Sequence, residues 1–420
     1  MLRNVSVKGF RSLVDFDLEI RDGLNVLVGP NGAGKTNIIL FFELLRSLAK
    51  ISVSDAVAEA GGVAQVFLKK GKVRFQDQIQ ASVVGTALSS DIDYKYEMTF
   101  SIKFNTGTQD VYFTHQTLRI TRLSDGGAYL NVTWSLGDAD KPESDLFSVD
   151  IAPDQRKSFN WIIKHLRSPD TSKMGIFRQR LVLPILSAGG ELTRAVVDQI
   201  AGRFVLNVVP SHVKKPEDST RRPGIESDGS GVSSTLYAIK RGKPFYDESY
   251  RRGRPLTVRY QDVIDLVKIA VPSINGIEVV NDPFDNLLRC QISVGTNGKS
   301  VVPLSSMSDG TVKWISLVLR LATSKSSLLL EEPENYLHPL MQREIVRLLR
   351  DGMAEQGFSM LSTHSETLLN AVRPDELVVV SHGRLGTKAK RVTNAAQVEE
   401  EINATGFGLG YYYLADAVES

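Results

Sequence analysis

At 420 residues, with 42% apolar and 23% charged side chains, the chain is long enough to bury a sizeable core and has the composition of a globular protein. A net charge of +2 excludes a global field for a nucleic acid or a membrane, so any basic surface must be local. The single cysteine, Cys290, excludes an intrachain disulfide and a cysteine-based metal site. With no signal-peptide core and no apolar run near the roughly 18 residues of a membrane span, the expected setting is cytoplasmic, without a membrane partner.

Leu2 to Val7 alternates as a strand, GFRS turns it, and VDFDLEI alternates again with Val14, Phe16, Leu18 and Ile20 on one face. A short apolar run, Leu24 to Val28, leads into GPNGAGKT, and NIILFFELLRSLA follows with helical apolar density. From Gly61 to Trp134 the pattern is mostly β, in VAQVFL, KVRF, YKYEMTFSIKF, DVYFTHQTLRITRL and AYLNVTWSL, with SDGG placed as a hairpin turn. The acidic, turn-rich stretch from Asp138 to Asp150 is a boundary. Gln155 to Arg167 and Arg178 to Phe204 read as helical, and Val205 to Val209 as a short strand. His212 to Gly231 is charged and rich in Gly and Ser, and is expected to be a mobile loop outside any core. A short helix over Asp262 to Ala270 precedes the strands IEVV, LLRCQISV and KSVVPL. Then strand and helix alternate: helix VKWISLVLRLA, strand LLLEE, helix Leu340 to Arg350, strand FSMLST. That rhythm belongs to a parallel sheet with crossover helices.

Four motifs carry chemistry. GPNGAGKT is the phosphate-binding P-loop, GxxxxGK[ST], between a strand and a helix as its function requires. Glycines let main-chain N–H groups turn around an anion, and the helix aims its positive end at the same place. Asn31, Gly32, Ala33, Gly34, Lys35 and Thr36 would cradle ATP, with Lys35 on the β and γ phosphates and the Thr36 hydroxyl on Mg²⁺. LLLEEPE ends a buried strand in two carboxylates, the Walker B pattern. Glu331 would hold Mg²⁺ and Glu332 would polarise the attacking water. Ser308 and Gly310 in SDGT open a helix, which by itself is only a well-capped helix start. His364 in STHS ends the next apolar strand, where a neutral imidazole can sense the γ-phosphate or steady the water.

In this order the P-loop, SDGT, LLLEEPENYLHP and STHS resemble the RecF/SMC-like ABC ATPases, and most of all the ATPase heads of the OLD (overcoming lysogenization defect) family and their stand-alone bacterial anti-phage relatives. The opening VKGFRSLVDFDLEIRDGLNVLVGPNGAGKTN and the ending GFGLGYYYLADAVES are similar too. The resemblance implies an α/β fold: a two-lobed ABC-type P-loop NTPase head, with a mixed or parallel sheet, an antiparallel β subdomain and a helical insertion. The stretches are then 1–137, an N-terminal ATPase lobe; 138–275, a helical and loop insertion with a basic segment; and 276–420, a C-terminal ATPase lobe. It further implies a homodimer, or a higher even-numbered oligomer, that sandwiches ATP and Mg²⁺ head to tail. Ser308 and Gly310 then act on the nucleotide of the other copy, and Asn335 to His338 lie near the contact. Arg11 is a candidate for the phosphates or a solvated turn residue. Gln76, Gln78 and Gln80 are candidates for the family's Q-loop glutamine or ordinary strand residues.

The acidic strand arrives too late for an AAA+ or RecA-like motor, and no heptad run supports long coiled-coil arms. The stretch after His364 is too short for a Toprim nuclease domain, so the expected activity is ATP hydrolysis without nuclease chemistry. The effector is then a separate protein such as a nuclease or toxin. The alternative is a RecF-like ATPase of DNA repair or recombination. For it the candidate contacts are Lys240, Arg241, Lys243, Arg251, Arg252 and Arg254, interleaved with aromatic residues; a solvated basic loop is the other reading.

Overall fold

The computed structural model describes residues 1–70, 74–137, 146–166, 175–202, 204–245, 257–295, 300–324, 327–352, 357–415 and 417–418. Apart from a two-residue pair, Lys69–Lys70 with Arg74–Phe75, the strands in chain order are β1 (Leu2–Phe10), β2 (Leu13–Glu19), β3 (Gly23–Val28), β4 (Gln78–Ser89), β5 (Ile92–Asn105), β6 (Asp110–Arg122), β7 (Ala128–Ser135), β8 (Leu146–Ile151), β9 (Phe204–Leu206), β10 (Glu217–Asp218), β11 (Ile274–Asn281), β12 (Leu287–Val294), β13 (Ser300–Pro303), β14 (Leu328–Glu331), β15 (Phe358–Thr363), β16 (Leu377–Gly383) and β17 (Gly386–Arg391). The helices that matter below are α1 (Lys35–Leu48), α2 (Val53–Glu59), α3 (Val63–Val66), α4 (Arg156–Leu166), α5 (Glu191–Ala201), α6 (Val232–Lys240), α7 (Tyr260–Ala270), α8 (Asp309–Thr323) and α9 (Pro339–Gly352). Two compact units form, each from separated stretches: Met1–Asp22, Gly29–Arg203 and Val379–Arg391 in the first; Gly23–Val28, Phe204–Val378 and Val392–Ser420 in the second.

The first unit is built on a seven-stranded antiparallel sheet, β8-β7-β6-β5-β4-β1-β2. The alternation of VDFDLEI sets its edge: Val5 pairs with Leu18 and Val7 with Phe16, and all four are buried. α1 buries Ile38, Ile39, Phe41, Phe42, Leu44, Leu45 and Leu48, and Phe41 meets Phe10 edge to face with centroids 5.3 Å apart. Gln116 on β6 is the polar residue this core depends on. Its amide donates to the carbonyls of Phe177 (2.7 Å) and Arg180 (2.9 Å) and accepts from the Val182 N–H (2.8 Å). VAQVFL, expected as a strand, starts as the single helical turn α3. Gly62 turns the chain at φ 79°, and the N–H groups of Gln65 and Val66 return to its carbonyl. Val66 and Phe67 are buried, so tertiary packing overrides the β propensity of that run.

The second unit holds a parallel ladder, β9-β14-β15-β3, as the strand–helix rhythm predicted. It also holds an antiparallel sheet, β10-β12-β11, with β13 on β12. α8 is buried nearly all round, and the Trp314 indole donates to the Val267 carbonyl of α7 at 3.1 Å. His212 to Gly231, expected as a mobile loop, is instead folded into this unit. Val213, Glu217 and Ile225 are buried, and the Glu217 carboxylate accepts from Gly231 N (2.8 Å) and Ser234 N (2.9 Å) at the start of α6. Asp228 binds His212 Nδ1 and Ser230 N, both at 2.9 Å. Polar residues here satisfy one another rather than water. Among the described residues no helix is long and apolar enough to cross a membrane.

Cys290, buried in β12, has its thiol pushed up to about 12, mainly by burial. It should be inert to a thiol reagent at pH 8 in the native protein and react fully in guanidinium. Replacing Gln116 by Ala should lower the unfolding free energy by ~1–3 kcal/mol in urea melts, because two buried main-chain groups and a third, part-buried one lose their partner.

Candidate functional site

β3 runs to Val28 and the chain passes directly into the glycine turn. Gly34 stands just before α1 with φ 105°, a conformation that favours glycine. A Cβ there would lie 2.1 Å from Thr387 Oγ1 and 3.0 Å from Ser12 Oγ. With hydrogen in that place, Gly34 leaves the first N–H groups of α1 uncapped by a side chain of its own, which is how a helix start receives an anion. Lys35 folds back over the turn. It is buried, and Nζ donates to the carbonyls of Gly29 (2.8 Å) and Pro30 (3.2 Å). Asn31 and Gly32 lie on the outer part of the loop, and Ala33 N donates to the Pro30 carbonyl at 3.1 Å.

A chain of hydrogen bonds braces the back of the turn. Asn37 Nδ2 donates to Ser12 Oγ (2.7 Å), Ser12 Oγ meets Thr387 Oγ1 (2.7 Å), and Thr387 Oγ1 donates to the Ala33 carbonyl (2.9 Å). Sequence reasoning assigned no role to Ser12, Asn37 or Thr387. The first two abut motifs and could have been found there; Thr387 sits in a strand with no local signature. Beside this brace opens a cleft of about 520 Å³, lined by Arg11, Ser12, Asn37, Gln65, His382 and Arg384 among others. Arg11 has φ 47° and donates from Nη2 to the Ala60 carbonyl at 3.0 Å, and burial lowers its pKa. Gln78 and Gln80 are β4 residues paired with Lys103 and Ser101.

In the second unit the carboxyl ends of two strands bring the acidic residues and His364 together. Glu331 closes β14 opposite Ser362 of β15. Glu332, next in the chain, has φ 39°, and its N–H donates to the Ser362 carbonyl at 3.1 Å. A positive φ at a non-glycine residue is strain that surrounding contacts must impose. The Glu332 carboxylate lies 3.5 Å from His364 Nε2 through Oε1, and accepts from Asn335 Nδ2 at 3.3 Å through Oε2. Glu334 ties the two turns: its Oε1 accepts from Thr363 Oγ1 and from His364 N, both at 2.8 Å.

SDGT joins the same cluster. Ser308 is exposed and caps α8, accepting from Thr311 N at 3.3 Å. Asp309 pairs with Lys214 at 2.6 Å. Gly310 is buried where a Cβ would stand 2.3 Å from the Tyr336 carbonyl oxygen, so only glycine fits without moving the backbone. Tyr336 itself has φ 69° and is exposed. From the basic segment, Lys240, Arg241 and Lys243 are exposed at the end of α6 and just beyond it. Lys240 is paired with Glu278 at 2.6 Å, and the Arg241 guanidinium sits 4.3 Å from the Tyr237 ring centroid. Phe245 is buried rather than available for stacking. Arg251, Arg252 and Arg254 lie outside the described residues.

Known proteins bear on this geometry in three ways. Residues 1–164 match the model of an AAA ATPase domain, and residues 212–370 match a model described as AAA domain, putative AbiEii toxin, Type IV TA system. A short stretch is 49% identical over 39 residues to the DNA double-strand break repair Rad50 ATPase of Methanopyrus kandleri, covering 9% of this chain and 4% of that protein. The chain thus spans only a small fraction of that curated relative. Among solved structures, an Smc head bound to the C-winged helix domain of ScpA aligns with a TM-score of 0.50 and 13% identity over 93% of this chain and 97% of that one. An Smc head with an extended coiled coil from Pyrococcus furiosus aligns with a TM-score of 0.47 and 13% identity, over 96% of this chain and 99% of that chain. Models of AAA ATPase domains therefore match two separate stretches of the chain, and its fold is that of an SMC-type P-loop ATPase head.

Proposed function

We propose that this chain is an ATPase that binds ATP with Mg²⁺, pairs head to tail with a second copy over the nucleotide, and passes its nucleotide state to a separate effector protein. The observation that carries the reading is the glycine turn. Gly34 holds a left-handed backbone at the start of α1, and the buried Lys35 ammonium is held at the loop by two carbonyls that a phosphate can replace. The cleft beside Ser12 and Asn37 gives the nucleoside room. Thr36 and Glu331 offer a hydroxyl and a carboxylate, hard oxygen donors of the kind Mg²⁺ takes alongside phosphate oxygens. When bound, that ion neutralises charge on the phosphates. Glu332 Oε1 accepts a proton from the attacking water, and His364, at 3.5 Å, steadies the carboxylate. The exposed Ser308 and the Gly310 corner are the surface offered to the other copy's γ-phosphate.

The effector reading rests on the motif resemblance; the description of the model matching residues 212–370 names a putative toxin of a toxin–antitoxin system and so concerns that family itself rather than a partner. That resemblance fits a role in bacterial defence against phage, of the OLD-related kind. The second reading is a RecF-like DNA-binding ATPase. It draws on the short identity with a repair ATPase and on three exposed cations close together in the chain, Lys240, Arg241 and Lys243.

Lys35→Ala should abolish binding of a fluorescent ATP analogue; binding at wild-type affinity would overturn the reading. Glu332→Gln should bind ATP, lose turnover by roughly 10²- to 10⁴-fold and accumulate as a dimer in light scattering. A monomer under saturating ATP would count against the sandwich. Ser308→Arg should still bind ATP and fail to dimerise. Salt-sensitive DNA binding that falls when Lys240, Arg241 and Lys243 become Ala would favour the second reading over the first.

A further inference from the structure

The turn that carries Glu332 is gripped by two side chains to which the hydrolysis reading gives no part. Lys313 stands on α8, is 5% exposed, and donates from Nζ to the carbonyls of Asn335 (3.1 Å) and Glu332 (3.5 Å). It therefore holds the first and last main-chain carbonyls of the segment Glu332 to Asn335. From the other side comes Glu334. One carboxylate oxygen accepts from the Thr363 hydroxyl and the His364 N–H, while the other is sealed from solvent without a hydrogen-bond partner among the described residues. The segment closes on itself through Asn335 N to the Glu332 carbonyl (3.2 Å), yet Glu332 at φ 39° and Tyr336 at φ 69° both stand where L-residues are rarely found. A strained turn persists only when its surroundings over-determine it.

Burial of an ammonium is costly, and here it pushes the Lys313 pKa down to about 8, with Glu334 and then Glu332 acting the other way. For packing alone an apolar side chain of similar volume would serve as well or better. What a lysine adds here over such a side chain is its donors.

We propose that Lys313 and Glu334 are positioning residues: Lys313 fixes the main chain under Glu332, Glu334 fixes the main chain of His364, and together they set the Glu332 carboxylate against the imidazole. Lys313 also lies on the first turns of the helix that Ser308 and Gly310 open, roughly 7.5 Å along the axis from Ser308. Contact of a second copy at the SDGT corner thus reaches Glu332 through one rigid helix and one ammonium group. The proposal rests on the reading of Glu332 as the group that activates water.

The test compares full-length wild type, Lys313→Met, Lys313→Gln and Lys313→Met/Glu334→Gln in steady-state ATP turnover, affinity for a fluorescent ATP analogue, and thermal unfolding. The Met and Gln variants should unfold at the wild-type temperature and keep KM and nucleotide affinity, while kcat falls by roughly 10- to 100-fold. The double variant, which removes the stranded carboxylate charge but does not restore the clamp, should stay as slow. Wild-type kcat in either folded single variant overturns the proposal. So does recovery of kcat in the double variant, which would trace the loss to an uncompensated buried charge. A wild-type protein that binds ATP and does not turn it over would instead bring down the hydrolysis reading itself.

Discussion

Parallel hydrogen bonding draws Val28 level with Thr363, and Ser362 level with Glu331. Strands that run the same way finish on the same edge of a sheet, so the next residues of each leave from that edge. Glu332 comes after Glu331 and His364 after Thr363. The strands themselves are buried along almost their whole length, from Leu24 to Val28, Leu328 to Leu330 and Phe358 to Thr363. The carboxylates and the imidazole stand at or just beyond the ends of these strands. A slip of one residue in any of these pairings would exchange the two buried faces of the strand, so packing on both faces holds the register and with it the place of the carboxylates at the strand end.

Two buried lysines use one device. Lys35 and Lys313 both bond main-chain carbonyls of a tight turn, Gly29 and Pro30 in one case and Asn335 and Glu332 in the other. Carbonyl dipoles solvate an ammonium without cancelling its charge. At the glycine turn that charge remains available to an incoming anion. At the acidic turn the same bonding shapes the backbone from outside. The tight approaches at Gly34 and Gly310 belong with this: each brings main chain close enough to a neighbour that a methyl group would not fit.

The parts of the molecule legible in its sequence are those whose physics is local. The glycine turn, the acidic strand end and the alternation of VDFDLEI each announce themselves within a dozen residues, and the parallel ladder followed from the strand–helix rhythm. What escaped depends on distant partners. VAQV has the composition of a strand but makes one helical turn because Gly62 caps it and Val66 and Phe67 find a core. The segment from His212 to Gly231 has the composition of a solvated loop, yet Glu217 inside it is buried on the N–H groups of Gly231 and Ser234. Lys313, within an apolar helical run, reads as a surface residue reaching for water until the Asn335 and Glu332 carbonyls are seen over it.

The brace behind the glycine turn joins Ser12 and Ala33 to Thr387, residues separated by most of the polypeptide. Closing so long a loop costs entropy that grows only slowly with separation, and the contact cannot form until both partners exist in the chain. During synthesis the glycine turn therefore emerges long before its brace, whose hydroxyl arrives only with the strand that carries Thr387. A nascent chain that stops before Thr387 carries the motif intact in sequence and lacks the hydroxyl that bonds the Ala33 carbonyl.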